Sequence, residues 1–196
     1  LRHVRNSVDL VTAPSIEPIS LADTKDFMGI TDDSSNTIIT NLIKCAREWA
    51  EDFTSLNFIS QKWDQRWDDI PRGIELELMK APLISVETIS SFADDNNETT
   101  FTATSYVVDT FSYRRRGRIF LNEGTVWPTS LRDRSNLRAQ YTVGFGTLAT
   151  DVPQAIREAL KFAVQGAFNG KDECDDCSEF NIAKKKLKMY RIMDMI

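Results

Sequence analysis

The residues best suited by type for chemistry are Cys174 and Cys177, separated by Asp175 and Asp176. That spacing is half of a zinc site, and closing one needs further N, S or O ligands. The chain offers few: one histidine, His3, and one other cysteine, Cys45. A redox role fits no better. Asp172, Glu173, Asp175 and Asp176 surround the pair with negative charge, which disfavours the thiolate. The segment reads as a solvated loop with incidental thiols. Cys45 falls within an apolar helical pattern and reads as a small core residue.

Other catalytic groupings are missing. A single histidine near the N-terminus argues against a Ser-His-Asp or Cys-His site. Gly144-Phe145-Gly146 lacks the third glycine and the strand–helix context of a dinucleotide loop, and reads as a strand exit needing backbone freedom. Asp32 and Asp33 suit a helix start, where carboxylates face the positive end of the dipole. Asp94 and Asp95 suit a turn. Asp68 and Asp69 contribute to a metal site only if the fold brings other acids near. No metal or cofactor is expected. Trp49, Trp63 and Trp67 lie on patterned faces and read as packing, and Trp127-Pro128 reads as a loop anchor. The alternative for these rings is a stacking platform for sugars or bases.

What remains is surface charge. The chain of 196 residues carries a net charge of −5, so as a whole it is no counterion-releasing DNA binder. Two basic runs stand out, Arg114-Arg115-Arg116-Gly117-Arg118 and Lys184-Lys185-Lys186-Leu187-Lys188. The first reads as a solvated turn. The second, with Arg191, leads into the apolar Ile192, Met193, Met195 and Ile196. Either this end frays in solvent, or it is an arm whose cations steer it to an acidic partner while its apolar side chains fill a groove.

These residues sit on recognisable elements. A hydrophobic fraction of 41% with 27% charged residues supports a packed core, and no apolar run approaches a membrane span. The chain opens on Leu1 without an apolar signal segment, which predicts a soluble, cytoplasmically made protein with a trimmed or processed start. Residues 1–18 lack any period and read as an arm. Ser20 and Asp23 open a short helix that Gly29 ends. Ile38, Ile39, Leu42, Ile43, Ala46, Trp49, Ala50 and Phe53 then share a helical face, opposite Lys44, Arg47, Glu48 and Glu51. From 58 to 146 the period changes to two, with turn residues between runs, and predicts an antiparallel unit of five to seven strands. Ile74, Leu76 and Leu78 share a face, as do Phe101, Ala103 and Val107, and Leu137, Ala139, Tyr141 and Val143. Helical period returns with Asp151 as a plausible N-cap. Ala155, Ala159, Ala163 and Ala167 form a row that admits a close helix neighbour, within the chain or in an oligomer. The expected fold is α+β: a small helical bundle from residues 19–57 and 147–196, a β-rich insertion over 58–146, an N-terminal arm over 1–18 and a C-terminal docking tail.

Several segments, in order, resemble the head–tail connector (adaptor) family of tailed phages, including the adaptors of gene transfer agents. They are Pro18-Ile19-Ser20-Leu21-Ala22-Asp23-Thr24-Lys25, Ala46-Arg47-Glu48-Trp49-Ala50-Glu51 and Ala81-Pro82-Leu83-Ile84-Ser85-Val86. Tyr106-Val107-Val108-Asp109, Gly117-Arg118-Ile119, Trp127-Pro128, Tyr141-Thr142-Val143-Gly144-Phe145-Gly146 and Val152-Pro153-Gln154-Ala155-Ile156-Arg157 follow in the same order. The resemblance spans residues 18–168. It implies a non-enzymatic virion protein, assembled in the bacterial host cytoplasm as a twelve-fold ring under the portal protein. Such a ring extends the DNA channel without binding the genome specifically and meets a stopper or tail-completion protein on its other side. Adaptors of this type tend to reach the portal with C-terminal segments, which supports the docking-arm reading, with Lys184, Lys185, Lys186, Lys188, Arg191, Ile192, Met193, Met195 and Ile196 as the portal-docking residues. The rival expectations are another neck component, such as a stopper or tail terminator, and a small ligand- or metal-binding domain.

Overall fold

The computed structural model describes residues 6–69, 73–110, 115–128, 131–170 and 179–192. Among the described residues, eight strands and four α-helices make an α+β fold that divides into two compact units. One is built from residues 1–13 and 60–144, the other from 14–59 and 145–196.

In the helical unit, α1 (Leu21–Met28) starts at Ser20, whose side-chain oxygen accepts the Asp23 backbone N–H at 3.0 Å. That bond satisfies one of the first-turn donors a helix leaves without a partner. Helix α2 (Asn36–Thr54) buries Ile39, Ile43, Ala46 and Ala50 at helical spacing. Helix α3 (Gln154–Phe168) buries Ile156, Ala159, Leu160, Ala163 and Val164, and α4 (Glu179–Leu187) buries Ala183 and Leu187. Rings join the helices. Phe27 meets Phe162 edge-on at 5.0 Å, and Trp49 lies 4.3 Å from Phe180. Helix α4 lies close over α3 at Gly166, where a Cβ would sit 3.2 Å from the Phe180 nitrogen.

Several helix expectations need correction. Cys45 is exposed, not core, because it lies two residues, or about 200°, beyond Ile43 around α2. Ile38 is 56% exposed for the same reason, one step off the buried row. Arg47, placed with the polar face by residue type, is buried among carboxylates. Asp151 does not cap α3. Its carboxylate accepts the Leu148 N–H at 2.9 Å and closes a preceding 3₁₀ turn. Gly146 is required there, since a Cβ would collide with the Asp151 carboxylate.

In the β unit, β1 (Asn6–Thr12), β2 (Gln61–Trp67), β8 (Leu137–Val143), β4 (Leu83–Phe92) and β5 (Glu98–Thr100) form an antiparallel sheet in that order. Strands β3 (Glu75–Glu77), β7 (Arg118–Leu121) and β6 (Tyr106–Asp109) form a second. Leu137, Ala139, Tyr141 and Val143 are fully buried and pack with Trp67, Leu76, Leu78, Ile89 and Ile119. Gln65 is the polar centre of this core. Its oxygen accepts from the Met79 N–H at 2.8 Å and the Tyr141 hydroxyl at 3.0 Å, and its amide donates to the Glu77 carbonyl at 3.2 Å. Burial pushes the Tyr141 phenol well above its usual range and keeps it a donor.

Two β expectations also change. Asn6–Thr12 is not part of an arm but an edge strand, paired with β2 from Asn6↔Trp67 to Thr12↔Lys62. A strand held through its backbone ladder needs no buried face, and all of its residues but Val8 are exposed. Val107 is 56% exposed, and Ala103 lies in a 3₁₀ turn, so Phe101, Ala103 and Val107 share no strand face.

Candidate docking interface

The site begins with how the C-terminal helix is seated. Ala183 and Leu187, four residues apart, face the bundle. Opposite them, Ile182 is 38% and Met189 61% exposed, and Lys184, Lys185, Lys188 and Arg191 are exposed as well. Lys186 is half-buried, with its ammonium 5.7 Å from the Phe162 ring centre. Lys184 and Arg191 lie over the Phe53 ring at 6.0 and 5.4 Å. Such contacts orient the cations without hiding them. After a 3₁₀ turn at Lys188–Tyr190, the Ile192 N–H donates to the Thr54 carbonyl at 2.9 Å. The segment to Ile192 is therefore strapped along the bundle rather than free, and Ile192 is half-buried. Met193, Met195 and Ile196 lie outside the described residues.

The arrangement is a basic ridge with two apolar contacts. Cations on exposed stems attract an acidic surface, and Ile182 and Met189 supply the apolar area for close contact.

The alanine row divides. Ala159 and Ala163 are buried within the unit, Ala155 is half-buried and Ala167 is exposed.

The site that sequence reasoning missed surrounds Arg47. Its guanidinium donates to Glu17 at 2.8 Å, Glu51 at 3.0 Å and Glu48 at 3.2 Å. Burial works to lower its pKa, but Glu51 and Glu17 outweigh that and raise it. Glu51 also accepts the Phe58 N–H at 2.8 Å. One cation thus ties the approach to α1, the middle of α2 and the segment after α2. The signal was present: Glu48 and Glu51 flank Arg47 at one and four residues.

The first basic run is largely paired. Arg118 donates to Asp109 at 2.8 Å and Glu75 at 3.3 Å, and Arg116 lies 3.8 Å from Glu77. With Arg115 they line a cavity of about 290 Å3. Arg114 lies outside the described residues, as do His3, Cys174 and Cys177. Trp127 is the loop anchor, donating from its ring N–H to the Gly73 carbonyl at 2.9 Å. Trp63 lies under the Lys80 ammonium at 4.3 Å and Trp49 against Phe53 and Phe180, so both rings are engaged in packing. Among the described residues no three His, Cys, Asp or Glu side chains gather as a metal cluster, and no helix is long and apolar enough to cross a membrane.

The family profile of the phage gp6-like head-tail connector proteins matches residues 18–107, the segment holding α1, α2 and Arg47 with Glu48 and Glu51. Residues 18–107 belong to the phage head–tail connector family. That is a family of structural connectors, not enzymes. Across both units the chain shares its fold with chains from gene transfer agent (GTA) particles. One from the virion of a native GTA particle aligns with a TM-score of 0.81 at 16% identity, over 96% of this chain and 97% of that one. A chain from the neck of an empty GTA particle computed with C6 symmetry aligns at 0.78 and 16% identity, over 97% of each. Another, from the neck of a native GTA particle computed with C12 symmetry, aligns at 0.76 and 17% identity, over 97% of each. No curated protein matches the chain.

Proposed function

We propose that this connector is a non-enzymatic ring subunit of the neck in a tailed-phage or GTA-like particle, seated under the portal. The observation that carries the reading is the coincidence of two independent likenesses. A connector profile covers residues 18–107, and chains from GTA necks share the fold over nearly the whole length. Twelve copies are proposed, by analogy with the neck computed with C12 symmetry. In that ring the chain extends the DNA channel, and its far side receives a stopper or tail-completion protein.

The portal contact is assigned to the basic ridge of α4 and the 3₁₀ turn after it: Lys184, Lys185, Lys188 and Arg191 beside Ile182 and Met189. The test is a joining assay between purified connector and portal-bearing, DNA-filled heads. Lys185→Glu with Lys188→Glu should leave the melting temperature within a few degrees and cut joining at least tenfold. Unchanged joining would move the docking surface off α4. A cryo-EM map of the neck with this chain anywhere but the ring beside the portal would overturn the reading itself.

A further inference from the structure

The basic ridge carries charge that the chain itself does not answer. Among the described residues no ion pair engages Lys185 or Lys188, which are exposed and three positions apart on α4 and the turn after it. Two carboxylates at the same spacing would meet both ammonium groups at once, with the lysine stems and Met189 lying against whatever apolar surface adjoins them. Helix α1 carries such a pair. Asp23 and Asp26 are exposed, three residues apart, with the small side chain of Ala22 exposed beside them. Positions three apart on a helix hold their Cβ atoms about 5–6 Å from each other, so the acidic and basic pairs match in spacing. Lys25, the one cation of α1, donates instead to Asp33 at 2.7 Å and Asn36 at 2.9 Å. Among the described residues no ion pair engages Asp23 or Asp26. Most other acids of the helical unit are taken: Glu17, Glu48 and Glu51 by Arg47, Asp33 by Lys25, and Glu158 by Lys161.

We infer that the ridge of a free chain docks on α1 of a second copy, Lys185 and Lys188 against Asp23 and Asp26, so that self-association and portal docking compete for one surface. Ridge and α1 are different surfaces of one chain, so the contact is head-to-tail. Exposed ion pairs are individually weak and are screened by salt. The contact is therefore reversible, and a more acidic surface displaces it. The competition rests on the portal reading of the ridge, whereas the self-association stands on the two charged pairs alone.

The test is sedimentation velocity on the full-length chain. At about 20 mM salt it should show concentration-dependent association that is lost at about 0.5 M. Asp23→Asn with Asp26→Lys, and separately Lys185→Glu with Lys188→Glu, should each give monomers at low salt. Mixing the two variants should restore a one-to-one complex, through the ridge of the first and α1 of the second, which misfolding of either cannot produce. A parent chain that stays monomeric at low salt, association that survives either variant, or a mixture that stays monomeric would overturn the contact. In the joining assay the α1 variant should match or exceed the parent, and a tenfold loss there would overturn the competition. Self-association that follows the charges, beside joining that ignores Lys185→Glu with Lys188→Glu, overturns the portal reading instead.

Discussion

Arg47 has three carboxylates within 3.2 Å and a side chain only 9% exposed, so its loss would leave Glu17 and Glu51 close together without a counter-charge. Removing one partner from a buried ionic group costs more than the group contributes when whole. Arg47→Met should lower the unfolding free energy by about 3 kcal/mol in urea titrations. Arg47→Lys should recover only part of it, because an ammonium cannot fork between Glu17 and Glu51. A smaller effect is expected at Asp33, which Lys25 and Asn36 hold below the usual carboxylate range through hydrogen bonds. A depressed folded-state pKa contributes stability above the unfolded value and loses it as pH falls through the folded one. The acid limb of a stability–pH profile, below about pH 4, should therefore flatten in Asp33→Asn. An unchanged limb would mean that Lys25 holds Asp33 only loosely in solution.

Helix α4 is the element on which docking and stability meet, and Gly166 sets how closely it lies on α3. Gly166→Leu should push the Phe180 backbone outward and cost about 2 kcal/mol, with amide exchange over 179–187 accelerating most. Ala167→Leu, one residue along on the exposed side, should stay within about 0.5 kcal/mol of the parent. The elements differ in how far their sequences disclose them. Leu137, Ala139, Tyr141 and Val143 alternate cleanly because β8 lies between β2 and β4 with one face in the core. Strand β1 gives no such signal, since only its backbone is held. Arg47 misleads because burial by ion pairing looks, by residue type, like a solvated face. At the docking site, the lysines and the apolar end are plain in sequence. That Ile192 is strapped to Thr54 depends on a contact more than 130 residues apart, and that Ala183 and Leu187 seat the helix depends on how α4 folds back on the bundle, neither of which a local pattern carries.

At the scale of the whole molecule, a net charge of −5 governs behaviour toward DNA. Duplex affinity without base contacts comes from cations releasing counterions, and two of the arginines in the first basic run already answer carboxylates. No sub-micromolar duplex binding is expected at physiological salt. An anisotropy titration showing tight binding with a steep salt slope would contradict this.

Helix α2 and helix α3 belong to one unit, yet residues 60–144 separate them in the chain. During synthesis at about 5–20 residues per second, α2 therefore waits roughly five to twenty seconds for α3 to be made. Over that interval Ile39, Ile43, Ala46 and Ala50 lack the cover of α3, while the β unit has its described strands by Val143. The nascent chain is thus most prone to aggregation, or to capture by a chaperone, between the making of α2 and the arrival of α3. Slowing translation across residues 60–144 should lower the yield of native protein more than the same delay placed after Phe168.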